Sequence, residues 1–523
     1  TGGSQLEIPL SSINSNKITD KGFIIAADEP IYVSVRVRST AAFFGELVHA
    51  GALVSKGQAA LGKEFRIGGF KREPFTNPND LTFASIMATQ NNTSISITVP
   101  AGITLVNGII PSNIILNTGE SYIVAAQGTT NSNNLLGSLI TSTKDIVVNS
   151  GSAWGSFGTT DRNADYGFDQ IVGADRIGTE YILVKGAGEF RSNPDENGLA
   201  VENVLIIPHF NNTEIFINEV SLGTFNAGSA QVIEGDRFDG YGNMYIRSSL
   251  PVFVYQGISG QTVGQANQDL FFVPPLSCES TDDVDEIAFI DTIGSASFPG
   301  GVTIVTNEGA TVLINGNPIA SSSFLGTVVT NSGNYITYKV TGLSNNISIS
   351  SDKELYCAYF NENDAAATAS FYSGFPIPPD ITYGSGTGGS GFIPNIVLTA
   401  TNTSIFDNFI WQFTNNPDPN DDDFEDIPGT AGITSFTPSD VGQYRLKGTI
   451  SCTGNIFTSD VIPVSFRPDD FDNDGIIDNE DPDIDNDGIL NIEESLGNVK
   501  INLTNPTTPI LIFNNGSTNN SIT

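Results

Sequence analysis

Three times within residues 1–375 the chain sets an apolar run, a polar turn and an alternating run in succession. The versions are FASIMATQNNTSISITV at 83–99, NVLIIPHFNNTEIFIN at 203–218 and GVTIVTNEGATVLING at 301–316. Each leads to further apolar strands: SYIVAA at 121–126 and TSTKDIVVNSG at 141–151, MYIRSSLPVFVYQG at 244–257, and YITYKV at 335–340 with ISSDKELYCAYF at 349–360. Two such runs joined by a short polar turn form a hairpin. Alternation of the kind at Ile95, Ile97 and Val99, or at Ile215 and Ile217, buries one face of a strand and leaves the other wet. Composition agrees, because Val, Ile, Thr, Ser, Asn and Gly dominate and no long stretch of helical period is present. The fold expected is all-β and multidomain, built from repeated sandwich-like or barrel-like units.

At 523 residues the chain exceeds one ordinary domain. The repeats define a β-rich head over 1–378. The stretch PPDITYGSGTGGSG at 378–391 is Pro-rich and then Gly/Ser-rich, which makes 379–394 a flexible linker. Residues 395–467 read as an Ig-like sandwich. Trp411 stands where strand C carries its core tryptophan, and DVGQYRL at 440–446 matches the D-x-G-x-Y pattern of a tyrosine corner, with Tyr444 as the corner. Leu446 occupies the place of the second inter-sheet cysteine, with Leu398 as its apolar partner on strand B. Residues 498–523 read as the start of a further β module. The first residue is Thr1, which implies a removed leader or a chain cut from a longer one.

Between these modules, DDFDNDGIIDNEDPDIDNDGILNIEE at 469–494 is too acidic to fold unless something neutralises it. A calcium loop takes oxygen ligands at positions 1, 3, 5, 7, 9 and 12, with glycine at 6. Counted from Asp470 these are Asp470, Asp472, Asp474, the Ile476 carbonyl, Asp478 and Asp481, with Gly475 at the turn. Counted from Asp483 they are Asp483, Asp485, Asp487, the Ile489 carbonyl, Asn491 and Glu494, with Gly488 at the turn. Both registers fit, so Ca2+ is the expected cofactor. No helical periodicity of EF-hand length flanks either loop, and the tandem motif resembles thrombospondin type 3 repeats over 468–497. That resemblance implies ion-filled loops that stiffen the joint between domains. A second acidic run, NPDPNDDDFEDIPG at 416–429, lacks the glycine and the alternation and reads as a solvated loop. Asp161, Asp165 and Asp169 in DRNADYGFD could lie together but are not assigned an ion.

Basic and acidic residues number 22 and 58, a net charge of −36 that disfavours nucleic acid and anionic lipid as partners. No apolar run approaches the ~18 residues of a membrane helix. Three cysteines are too few for a disulfide scaffold. Cys278 and Cys357 are the disulfide candidates, two reduced thiols being the open alternative, and Cys452 is expected alone. Nucleophile–base constellations, zinc spacings and phosphate loops are missing, and His209 reads as a strand-end packing residue rather than a base. No enzyme is expected. The loop SGSAWGSFGTTDRNADYGFDQ at 150–170 offers Trp154, Phe157 and Tyr166 as candidates for contact with a glycan or protein ligand, the alternative being that Trp154 caps a sheet core.

PIYVSVRVRS at 30–39, HAGALVSKGQAALGKEFRIGGF at 49–70 and NQDLFFVPPLSC at 267–278 are similar to the N-terminal domain of IgGFc-binding proteins. With an Ig-like module and thrombospondin type 3-like repeats behind it, the layout resembles giant cell-surface adhesins of the Bacteroidota, including SprB-like gliding-motility adhesins exported by the type 9 secretion system. The resemblance implies an extracellular protein on the exterior of a bacterial outer membrane, part of a longer anchored chain. No binding residue is carried over from that family. The function expected is the distal part of such an adhesin, used in attachment or gliding, with a calcium-stiffened neck. The accessory region of a secreted hydrolase and a structural fibre subunit are the alternatives.

Overall fold

The computed structural model describes residues 8–38 apart from 16, 20, 26 and 28–30, then 49–70, 81–127, 134–155, 157, 165–186, 202–259, 268–363, 366–385 apart from 377, 396–464 apart from 418, 420, 452 and 453, 481–489 apart from 484, and the strands Leu511–Asn514 and Asn519–Ile522. Among these residues every regular element is a β-strand or a short 3-10 turn. Two compact units are present: 1–378 with 404–407 and 449–457, and 379–403 with 408–448 and 458–523.

The first unit begins with a hairpin of β1 (Ser34–Arg38) and β2 (Ala50–Val54). Then come β3 (Gly62–Arg66), β4 (Thr82–Ala88), β5 (Thr93–Thr98), β6 (Ile114–Leu116), β7 (Ser121–Ala126), β8 (Leu139–Gly155) and β9 (Asp165–Ile171). They form a seven-stranded sheet ordered β6-β5-β8-β4-β7, with β3 and β9 also paired to β8. The same connectivity follows in β10 (Gly178–Val184), β11 (Val204–Pro208), β12 (Thr213–Ile217), β13 (Val220–Phe225), β14 (Gln231–Ile233), β15 (Asn243–Ser259) and β16 (Gln268–Phe272). Their order is β13-β12-β15-β11-β14, with β10 and β16 on β15. In both sheets a 17-residue strand, β8 or β15, forms the spine.

The third version starts with β17 (Asp283–Ile287), a small hairpin of β18 (Thr292–Ile293) and β19 (Ala296–Ser297), and β20 (Gly300–Asn307). It continues with β21 (Val312–Ile314), β22 (Asn317–Pro318), β23 (Phe324–Val329), β24 (Asn334–Leu343), β25 (Ile347–Ser351), β26 (Leu355–Asn363) and β27 (Ala366–Phe371). Here the spine is broken into β25 and β26, so the repeat divides into the sheets β17-β25-β21-β22 and β23-β24-β20-β26-β27. Left-handed turn residues close the equivalent hairpins: Asn92 at φ 56°, Asn212 at 60° and Gly309 at 80°. Asn and Gly tolerate that region at least steric cost.

The sheets stack. Leu205, Ile207, Phe253 and Tyr255 of the second sheet pack into one core with Ile86 and Val148 of the first. The other face of the same strands, Val204, Ile206, Val252 and Val254, packs with Ala358, Phe360 and Phe371 of the third. Burying each such side chain contributes roughly 1.5–3 kcal/mol. β11, the apolar run of its repeat, is therefore buried at all five positions, whereas β12 alternates buried and half-buried residues as its sequence predicts. Close approach is needed where the first two repeats meet: a Cβ on Gly137 would lie 1.8 Å from the Gly228 carbonyl oxygen.

β2 pairs with β1 along one edge only. On its other edge the amides of alternate residues donate to side chains of all three repeats. Ala50 N–H meets Asp165 Oδ1 at 2.9 Å, Ala52 N–H meets Asp269 Oδ2 at 3.1 Å, and Val54 N–H meets Ser370 Oγ at 3.2 Å. Lys56 N–H continues the row on Gln170 Oε1. Buried amides must find acceptors, and here side-chain oxygens of Asp165, Asp269, Ser370 and Gln170 replace a neighbouring strand. Asp165 is thus a structural acceptor, Asp169 accepts the backbone amides of Gln170 and Phe272, and Asp161 lies outside the described residues.

The disulfide expectation is corrected. Cys357 is a free, buried thiol and Cys278, exposed on a turn, is disulfide-bonded. Cys357 lies opposite Ile304 in the register that places Val148 opposite Ile86 and Val254 opposite Ile206. It is a core residue, and burial pushes its thiol far above the usual range. Cys452 lies outside the described residues.

In the second unit, Asp380–Ser385, Ile396–Thr401 and Ser435–Phe436 form one sheet, packed on another that contains Asn408–Thr414, Gly442–Ile450 and Ile462–Val464. Leu398 and Leu446 are both fully buried in the core between them, beside Trp411. Tyr444 donates its hydroxyl to the Asp440 carbonyl at 2.8 Å, the bond of a tyrosine corner.

Candidate functional site

Of the three candidate aromatics of the 150–170 stretch, Trp154, Phe157 and Tyr166, two come together and one does not. Trp154, near the end of β8, is half-buried with its ring edge-on to His49 at 4.3 Å. Tyr166 on β9 stands 6.2 Å from the same imidazole. Beneath them lies Asp165, whose Oδ1 accepts Tyr166 N–H at 2.8 Å and sits 3.6 Å from His49 Nδ1. Full burial holds the Asp165 carboxyl well above the usual carboxylate range. Phe157 is corrected from ligand candidate to core: it packs edge-on to Phe70 at 5.2 Å, and a Cβ on Gly257 would lie 3.2 Å from its ring. His209 directly follows β11, with Nε2 3.2 Å from Glu64 Oε2 and its ring edge-on to Phe210.

A second surface had no signal in the sequence. A cleft of about 760 Å³ opens between β1 and the third repeat, lined by Tyr32, Ser34, Arg36, Asp285, Phe289 and Tyr372 among others. Arg36 is fixed in its wall. Nη1 donates to the Phe289 carbonyl at 2.7 Å, Nη2 donates to the Tyr372 hydroxyl at 3.2 Å, and the guanidinium lies 4.6 Å above the Tyr359 ring. Neither Arg36 Nε nor Ser34 Oγ makes a hydrogen bond within the described residues. Phe289 is 66% exposed and adopts φ 49°, a left-handed conformation that costs a bulky side chain of order 1–3 kcal/mol. A fixed cation in the wall and the exposed Phe289 ring can hold a polar ligand with an apolar face, while Arg36 Nε and Ser34 Oγ are buried behind that surface. The contributing segments, around residues 32, 289 and 372, are too far apart for any local motif to show them.

Acidic residues gather beside this cleft. Burial, then Asp285 and Asp282, push the Asp283 carboxyl up to about 6. A raised folded-state pKa gives stability that is full below the unfolded value of about 3.9 and is lost as pH rises through the folded one. The thermal midpoint should therefore fall between about pH 4 and pH 7, and Asp283→Asn should flatten that slope. Identical slopes for the two proteins would remove Asp283 from the account.

In the second unit, Asp481, Asp483, Asp485, Asp487 and Ile489 of the expected calcium ligands are described. Asp470, Asp472, Asp474, Ile476, Asp478, Asn491 and Glu494 lie outside the described residues. Carboxylate oxygens of Asp483, Asp485 and Asp487 all come within 4.8 Å of one another. The turn that gathers them uses Asn486 at φ 53° and Gly488 at 84°, and Gly488 N–H donates to Asp483 Oδ2 at 2.9 Å. Hard oxygens on one centre around a left-handed glycine suit Ca2+.

Fold and surfaces together describe an all-β protein of stacked antiparallel sheets, with no helix among the described residues long and apolar enough to cross a membrane. The chain belongs to the IgGFc binding protein family, whose model matches residues 50–371. Those limits are the first residue of β2 and the last of β27, so the family unit comprises the central strand and the three repeats. No curated protein matches the chain. Similar solved structures include a viral chemokine binding protein encoded by rodent gammaherpesvirus Peru, 7% identical over 62% of this chain and 88% of that one, with a TM-score of 0.14. Others are a segment of titin, 8% identical over 77% and 99% at TM-score 0.12, and the BSP domain of a biofilm associated protein, 10% identical over 78% and 96% at TM-score 0.12. No ligand is carried over from similarities this slight.

Proposed function

We propose that the chain is part of an extracellular adhesin, the distal portion of a giant bacterial surface protein used in attachment or gliding. Its first unit is the ligand-binding head and its acidic segment is a calcium-stiffened neck. The observation that carries the reading is the family match from β2 through β27, which supports taking the stacked repeats as a binding domain. Half-buried Trp154 and Tyr166, together on one edge, supply a surface for a glycan or an extracellular protein. Immunoglobulin belongs to the family's name, and no residue of this chain is assigned to it.

Adhesion of the full chain to immobilised glycans and to immunoglobulin Fc tests the head. Trp154→Ala should weaken binding by on the order of 2 kcal/mol, as expected for a truncated aromatic anchor. Adhesion that resides instead in a 395–497 fragment would reverse head and neck. Hydrolysis of the glycan or protein would favour the accessory region of a hydrolase, and calcium-driven self-assembly would favour a fibre subunit.

Calcium is tested separately. Titration calorimetry should show at least two sites. Asp472→Ala combined with Asp485→Ala takes one carboxylate from each loop and should reduce both affinity and protease resistance around 468–497. If stoichiometry and proteolysis stay unchanged, the calcium assignment fails.

A further inference from the structure

At the centre of the first unit, Lys56 and Asp169 meet with 1% exposure each. Lys56 Nζ lies 2.9 and 2.8 Å from the two oxygens of the Asp169 carboxyl, facing the group edge to edge. Ser370 Oγ bridges the pair, 3.1 Å from Nζ and 3.0 Å from each carboxyl oxygen. Two backbone amides hold the same oxygens: Gln170 N–H on Oδ1 at 2.9 Å and Phe272 N–H on Oδ2 at 3.1 Å. Lys56 Nζ also donates to the Val54 carbonyl at 2.9 Å, which fixes its approach. Asp269, also fully buried, stands beside Asp169 and is anchored by the amides of Ala52, Ala369 and Leu270.

An amine in contact with both oxygens of a carboxyl, a hydroxyl touching both groups, and amides on the oxygens where charge would develop are the parts of an acyl-transfer site. We propose that Lys56 and Asp169 condense to an intramolecular isopeptide bond. The pair is shielded from bulk water, so once the released water molecule has escaped the reverse hydrolysis lacks its reactant. Burial favours the reactive forms, lowering the lysine ammonium's pKa and raising that of the carboxyl. In the step, one ammonium proton first passes to the Asp169 carboxylate, and the freed Nζ lone pair, swung out of the carboxyl plane, attacks Cγ of Asp169 as one Cγ–O bond breaks. The departing oxygen leaves as water with two protons from the ammonium, relayed through the Ser370 hydroxyl. Nitrogen keeps one hydrogen as the amide N–H, the charges of the pair cancel, and no oxidant or further reactant is needed. The bond would tie the central strand to the first repeat across 113 residues of chain, a covalent brace suited to a protein that carries load.

The test is peptide mapping of the full chain by tandem mass spectrometry after reduction of disulfides. A branched peptide joining Lys56 to Asp169, lighter than the two linear peptides by one water, is the expected result. Intact mass alone is insufficient, because Asp239-Gly240, Asp474-Gly475 and Asp487-Gly488 lose the same mass on forming succinimides. Recovery of both linear peptides at full mass would leave an ion pair only and overturn the proposal. Ser370→Ala should lower the linked fraction in freshly folded protein, with circular dichroism checking that the β-sheet is retained. Linking as complete as in the parent would overturn the relay.

Discussion

Replacing Lys56 with methionine should lower the stability of the first unit by about 3–5 kcal/mol, the range for removing one partner of a buried charge pair. Methionine keeps the apolar stem but leaves the Asp169 carboxyl surrounded by Gln170, Phe272 and Ser370 without its cation. The expectation holds for an ionic or a condensed pair, because either loses its central bond. A shifted denaturant midpoint at unchanged slope is the readout. A change below about 1 kcal/mol, ordinary for surface substitutions, would mean the pair does not hold the repeats together. Asp269→Ala should act in the same direction, since the amides of Ala52 and Ala369 lose their acceptor.

Trp411→Ala should cost the second unit about 3–5 kcal/mol, the range for emptying a core tryptophan site. Trp411 is fully buried, stacks on Phe436 at 5.3 Å and donates Nε1–H to the Ile433 carbonyl at 2.8 Å. The change therefore opens a cavity and removes the donor that serves the Ile433 carbonyl. Hydrogen exchange should accelerate in Ile396–Thr401 and Gly442–Ile450, which pack on the indole. Protection equal to that of the parent would show that Tyr444, Leu446 and Leu398 sustain this core without it.

Much of the candidate site was legible where chemistry is written in adjacent residues. Asp483, Asp485, Asp487 and Gly488 announce their convergence by spacing alone, because a loop ligand set is local. Tyr444 likewise announces its bond to Asp440 through D-x-G-x-Y. Phe157 was misread because glycine-rich loops with aromatics look alike whether the ring turns outward or in; Phe70 and Gly257 decide it, and both are far away in sequence. The Cys278–Cys357 pairing failed for a similar reason. A cysteine inside an apolar strand reads the same as a bridging one until its register sets it opposite Ile304, the place that Val148 and Val254 hold in the other two repeats.

The sequence by itself determined that the described elements are β-strands, where their hairpins turn and which residues alternate, because a period of two and an Asn or Gly turn are local properties of the backbone. Only tertiary structure decided what covers each face. β11 carries an apolar run that fits either an edge or a centre, and it is buried on both sides because the first and third repeats close over it. Only tertiary structure, too, turned Asp165, Asp169 and Asp269 from ordinary acidic residues into buried acceptors. The amides and the ammonium they serve lie as far as 217 residues away, and desolvation by distant strands leaves no trace in the neighbouring letters.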